Sequence, residues 1–73
     1  MRLSEFRIAV EDEFGDAYGR ALVREFVLDD FGQTAEQALA SGRPPGEVWV
    51  ALCRANQVPR ERWHGRGLPE PKV

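Results

Sequence analysis

The chain has 73 residues, of which 42% are hydrophobic and 30% are charged, so it is suited to one small globular domain rather than to a disordered segment. Its net charge of −2 excludes a strongly basic protein, although residues 1–42 carry −5 and residues 43–73 carry +3. A single cysteine excludes an intramolecular disulfide and a zinc cluster of thiolates. With no apolar run of about 20 residues and no secretory pattern, we expect a cytoplasmic protein without a membrane partner.

A first helix is predicted over residues 5–14. Ser4 suits the N-cap position, and Leu3 and Ile8 have the spacing of a hydrophobic staple. One apolar face repeats every four residues, at Phe6, Val10 and Phe14. Gly15 then supplies the stop.

A second helix is predicted after Asp16, which can cap it, and it ends at a turn over residues 29–32. Its apolar residues predict one wide buried face, made of Tyr18, Leu22, Val23, Phe26 and Val27. Gly19 lies on the same face, and a glycine inside a helix predicts a close approach of a neighbouring helix. No stretch of the sequence shows the alternation of apolar and polar residues that is typical of a β-strand, so we expect no β-structure.

Two more helices form a predicted hairpin. Thr34 and Gln37 fit a capping box that starts a short third helix, and Gly42 ends it. Pro45 or Gly46 can open the fourth helix. Its apolar stripe is Val48, Trp49, Leu52, Cys53 and Ala55.

The predicted fold class is all-α. We expect a small orthogonal bundle of three or four helices with a helix-turn-helix-like hairpin and a short C-terminal turn. The domain should span residues 1–64. Glycine, proline and charge dominate residues 65–73, which predicts a disordered C-terminal tail.

The hairpin has the spacing of a DNA-reading helix-turn-helix, because Ala38, Gly42 and Val48 lie four and six residues apart. Its chemistry favours a folding unit instead. Base readout needs donors near the start of the second helix, whereas the predicted outward residues there are Glu47 and Val50.

Four co-linear segments carry a resemblance to a known family: "MRLSEF", "FGDAYGRAL", "TAEQALASG" and "EVWVALCRANQVPRERWHG". Over about residues 1–65 the chain resembles a small actinobacterial family, domain of unknown function 3046. The resemblance implies an all-helical cytoplasmic protein with no assigned activity or catalytic residues. The resemblance also implies a genomic association, because genes of that family often lie near recombination and DNA-repair genes; the association assigns no role to any residue here.

No catalytic or metal site is predicted, and no cofactor. His64 is the only histidine and lies beside glycines, where a general base is hard to anchor. Cys53 falls on the apolar stripe of the fourth helix, which is typical of a core residue rather than a nucleophile. We therefore expect a protein that is not an enzyme.

The candidate binding residues lie near the C-terminus, where basic charge and an aromatic ring combine. They are Arg54, Arg60, Arg62, Trp63 and Arg66. Tryptophan and arginine are favoured at protein interfaces, and the same mixture stacks on single-stranded nucleic acid. Alternatively, Trp63 folds back to close the core and the arginines form a solvated rim.

The expected function is therefore a small protein-interaction module with an unknown protein partner. The alternative is a weak nucleic-acid binder that uses these arginines and Arg43, linked to recombination or repair through the family resemblance. A third class is a weak homodimer that buries leftover apolar surface such as Val50 and Phe31; otherwise the chain is a monomer.

Overall fold

The computed structural model describes residues 1–63, which form a mostly helical domain with one small β-ribbon. The elements in chain order are α1 (Leu3–Phe14), α2 (Asp16–Glu25), β1 (Val27–Leu28), β2 (Gln33–Thr34), α3 (Ala35–Ala40), α4 (Pro45–Ala55) and the 3₁₀ turn η1 (Arg60–Arg62). The prediction of a mainly helical fold with four helices is confirmed, whereas the orthogonal bundle arrangement stays a prediction. The predicted tail, residues 65–73, and His64 lie outside the described residues. Within residues 1–63, no helix has the length and apolar character needed to cross a membrane.

The expectation of no β-structure is wrong. β1 and β2 pair antiparallel, with Val27 opposite Thr34 and Leu28 opposite Gln33. Each strand has only two residues, which is too short for an alternating pattern of apolar and polar residues to be recognised in the sequence. The ribbon also shortens α2, which ends at Glu25 instead of continuing through the aromatic and β-branched residues that follow.

The start of α1 differs from the prediction. The helix begins at Leu3, and the Glu5 carboxylate accepts a hydrogen bond from the Arg2 backbone N–H at 2.6 Å. Ser4 therefore lies in the first turn and is not the cap. The predicted staple is also wrong, since Leu3 and Ile8 are 42% and 51% exposed.

Two glycines set the geometry of α1 and α2. Gly15 has a φ of +84°, and its N–H bonds to the Glu11 carbonyl, so α1 stops there as predicted. Asp16 is the first residue of α2 rather than its cap. A Cβ on Gly19 would lie 2.8 Å from Val10 Cγ1, which confirms that this glycine permits a close helix–helix approach.

The buried face of α2 is narrower than predicted. Leu22 is buried and Val23 partly buried, whereas Tyr18 is 59% and Phe26 38% exposed. Val27, on the ribbon, is 54% exposed. The helix therefore contacts the core along one strip of side chains, which leaves its flanks open to solvent.

The capping box at α3 is confirmed. Thr34 Oγ1 accepts from the Gln37 N–H at 3.1 Å, and Gln37 Oε1 accepts from the Thr34 N–H at 2.9 Å. Gly42 follows the helix with a φ of +97°, and Pro45 occupies the first turn of α4.

Helix α4 forms the centre of the core. Trp49 is fully buried, with the rings of Phe6 and Phe14 each 6.3 Å from it in edge-to-face geometry. Val50, predicted to face outward, is only 2% exposed, while Ala55 is exposed. Neither Val50 nor Phe31 is leftover apolar surface, because Phe31 is partly buried and lies 4.9 Å beneath the Arg43 guanidinium.

Candidate functional site

Trp63, the aromatic member of the predicted binding residues, lies against the core. Its indole N–H donates to the Val58 carbonyl at 2.9 Å, and its own carbonyl accepts from the Trp49 indole at 2.7 Å. The side chain is partly buried against the core cluster. Two roles were expected for Trp63, contact with a partner or packing against the core, and the geometry matches packing against the core.

The predicted arginines are exposed but do not form one free basic cluster. The Arg60 guanidinium lies 5.6 Å from the centre of the Trp63 ring, and Arg62 pairs with Glu13 of α1. Arg54 lies elsewhere, at the C-terminal end of α4, where it lines a shallow depression beside the ribbon. Arg66 lies outside the described residues. The structure therefore brings together Arg60, Arg62 and Trp63, and each of them has an intramolecular contact.

The α3–α4 hairpin offers little surface for reading a DNA groove. Seven of the eleven residues of α4 are buried. Near its start, Glu47 pairs with Arg43 at 3.0 Å. A recognition helix must present a free face to base edges, whereas this helix is enclosed by the rest of the fold.

Sequence patterns did not predict an open groove between α1, α2 and α3, here called the α1–α3 groove. Its volume is about 570 Å³, within the usual range for binding pockets. The apolar part of its lining is Leu3, Phe6, Val10, Val23, Leu39 and Ala40. Gly19 lies in the lining, where its backbone approaches Val10 of α1 closely.

The rim of the α1–α3 groove carries charges of both signs. Three arginines and three acids line it: Arg7, Arg20, Arg24, Glu11, Asp16 and Glu36. Arg20 and Asp16 pair at 3.0 Å, with side chains 71% and 69% exposed. Such an exposed pair adds little to the stability of the fold, so these groups are available to an approaching molecule.

One sequence signal did point towards this groove. Gly19 predicted that α2 approaches a neighbouring helix closely, and two helices that touch at one point diverge on either side of it. What the sequence did not indicate is that Leu39 of α3 forms part of the same lining. That arrangement depends on the packing of α3 against α2, which no local sequence pattern indicates.

The only cysteine is enclosed in the core. Cys53 is 0% exposed, and desolvation by burial, with a smaller contribution from Glu13, raises the pKa of its thiol from 9.0 to about 12. The thiol therefore stays protonated at neutral pH, in keeping with the predicted core role. Among residues 1–63, no group of three or more His, Cys, Asp or Glu side chains could hold a metal ion.

Comparisons with known proteins identify a family for the chain. No curated protein and no solved structure matches the chain. The model of a family described as "Protein of unknown function (DUF3046)" matches residues 1–61, which include the four helices, the ribbon and most of η1. The chain therefore belongs to the DUF3046 family.

Proposed function

We propose that this domain is a small protein-binding module and that a protein partner docks in the α1–α3 groove. The observation that carries the proposal is an apolar surface in the groove, where Leu3 is 42% exposed and Val23 and Leu39 are partly exposed above the buried side chains of Phe6 and Val10. Concave sites with an apolar lining and a few polar groups are where proteins usually bind ligands. The domain then works by binding in the cytoplasm, and no catalytic step is assigned to it.

The charges around the groove favour a protein over a nucleic acid. Nucleic-acid binding depends on clustered Lys and Arg that neutralise phosphates, whereas the rim here has as many acids as arginines. Protein interfaces commonly combine an apolar centre with a polar rim of both signs. The rim therefore supports a protein partner.

The alternative, a weak nucleic-acid binder, rests on the exposed residues Arg54, Arg60 and Arg62. It has weaker support, since Arg62 already pairs with Glu13 and the Arg60 guanidinium lies over Trp63. A link to recombination or repair remains an expectation from the family resemblance alone.

Affinity capture with matched variants tests the proposal. Leu3 and Ile8 are exposed apolar residues on the same helix, but only Leu3 lines the groove. We expect Leu3→Glu to lose the captured partner and Ile8→Glu to retain it, with both variants folded by circular dichroism. A partner retained by Leu3→Glu, or lost equally from both variants, would place the interface elsewhere.

Oligonucleotide titration tests the alternative. We expect labelled single-stranded and duplex DNA to show no saturable change in anisotropy at near-physiological salt. Weak binding at low salt alone would be non-specific, because counterion release makes such binding fall steeply with salt. Saturable binding at physiological salt that weakens in Arg54→Ala and Arg60→Ala would favour the nucleic-acid function instead.

A further inference from the structure

The two ends of the α1–α3 groove differ in charge. Glu11 and Asp16 flank Gly15, where α1 passes into α2, and Arg20 is the one basic residue near them, paired with Asp16. Arg7 and Arg24 lie farther from Gly15 along their helices. Because Val27 pairs with Thr34, the start of α3, which carries Glu36, lies beside the end of α2 that carries Arg24. The Gly15 end therefore carries a net −1, and the α3 end carries a net +1.

The length of the apolar lining limits what fits. Leu3 and Val10 are seven residues apart on α1, which corresponds to about 10 Å along the helix axis. About two turns of a helix, at 5.4 Å each, cover that length. Val23 of α2 and Leu39 of α3 line the groove beside α1, so an inserted apolar side chain would meet side chains from three helices.

The shape of the lining argues against a second copy of this chain in the same groove. Two concave surfaces placed face to face enclose a void, and the atoms that line a void lose their dispersion contacts. A convex rod such as a helix fills a groove between helices, a recurring mode of peptide recognition. The partner segment should then present apolar side chains at positions i, i+3 or i+4, and i+7.

We infer that the groove binds a two-turn amphipathic helix of a partner protein, with a basic side chain at the Gly15 end and an acidic side chain at the α3 end. This inference rests on the proposed function. Glu11 and Asp16 would receive the basic group, and Arg7 and Arg24 the acidic one. The apolar stripe of the helix would occupy the lining between them.

Synthetic helical peptides titrated into ¹⁵N-labelled protein test the inference. The bipolar peptide carries a leucine stripe of this spacing, with lysine in its first turn and glutamate in its last. A second peptide has the same stripe with glutamine at every charged position. Because a helix can enter the groove in either chain direction, the comparison is between charged and uncharged peptides rather than between sequence orders.

We expect the bipolar peptide to shift amide signals of groove residues, including Leu3 and Gly19, and to bind about fivefold more tightly than the glutamine peptide at low salt. That preference should shrink at high salt and disappear in an Arg7→Gln, Arg24→Gln double variant. The control variant Ile8→Gln, outside the groove, should bind as the parent protein does.

Two results would overturn the inference while leaving the proposed function standing. The first is equal binding of both peptides in the groove, which would remove the charge preference. The second is no binding of either peptide while a captured partner still depends on Leu3, which would mean that the occupant is not such a helix. If the peptides fail and capture is also insensitive to Leu3→Glu, both proposals fall. A doubled mass in sedimentation, abolished by Leu3→Glu, would identify a second copy as the occupant and overturn the inference.

Discussion

The indole N–H of Trp49 donates a hydrogen bond of 2.7 Å to the backbone carbonyl of Trp63, fourteen residues along the chain. Trp49 lies at the centre of the core and Trp63 follows η1, so this bond ties the C-terminal turn to the central helix. The indole of Trp63 donates in turn to the Val58 carbonyl at 2.9 Å. Trp63, whose residue type is favoured at protein interfaces, therefore packs against the core and holds the C-terminal turn in place.

We predict that Trp63→Ala lowers the free energy of unfolding by about 2 kcal/mol, because it removes a partly buried ring and one hydrogen bond. Urea denaturation followed by far-UV circular dichroism measures the change. Glu61→Ala is the control and should stay within about 0.5 kcal/mol of the parent, since Glu61 is exposed. Unchanged stability in Trp63→Ala, with loss of a captured partner, would instead make Trp63 an interface residue.

Gly19→Ala should destabilise the protein by about 1–2 kcal/mol, although alanine is the better helix former. The added Cβ would lie 2.8 Å from Val10 Cγ1 and 3.3 Å from the Val10 carbonyl oxygen, so α1 and α2 would have to move apart. Thermal denaturation shows whether the substitution lowers or raises the stability of the protein. The same substitution in a Val10→Ala background should cost less, because the nearest contact is gone. A stabilised Gly19→Ala protein would contradict the close approach.

The ion pair between Arg62 and Glu13 gives a third prediction. The Glu13 side chain is only 14% exposed, but that of Arg62 is 59% exposed, so the pair should contribute under about 1 kcal/mol. Arg62→Ala should lower the free energy of unfolding by that amount at low salt and by less at high salt. Unchanged stability in Arg62→Ala, together with loss of oligonucleotide binding, would contradict this prediction. It would instead support the nucleic-acid alternative, with Arg62 as a binding residue.

Cys53 predicts a loss of stability at alkaline pH. Burial raises the pKa of its thiol from 9.0 to about 12, so above pH 9 the unfolded chain loses the thiol proton while the folded protein keeps it. This contribution to stability is complete below pH 9 and is lost as the pH rises towards 12. The loss should reach roughly 1 kcal/mol at pH 10. Urea denaturation of the parent protein and of Cys53→Ala at several pH values measures this loss, because the variant has no thiol to titrate. Equal pH dependence in both would contradict the assignment.

The features that could be predicted from the sequence are those whose signal is local. Thr34 and Gln37 form their capping box because both partners lie within one turn, and Gly15 ends α1 through its own backbone conformation. Gly19 belongs with them, since a mid-helix glycine has few other uses than close packing.

The features that could not be predicted depend on how elements pack. Val50 looked outward on an isolated helix, but α4 is enclosed on nearly every side, so no single apolar stripe describes it. Leu3 and Ile8 looked like a staple, yet both remain exposed. The groove combines residues of three helices, and its lining is complete only when α3 packs against α2.

Photo-crosslinking in cells tests most directly whether the α1–α3 groove binds a protein. A benzoylphenylalanine at Arg24, which lines the groove, is compared with one at the adjacent exposed residue Glu25, which does not. The proposal predicts a discrete protein adduct from position 24 that is absent from position 25 and lost in the Leu3→Glu background. No protein adduct from position 24, or the same adduct from both positions, would contradict it.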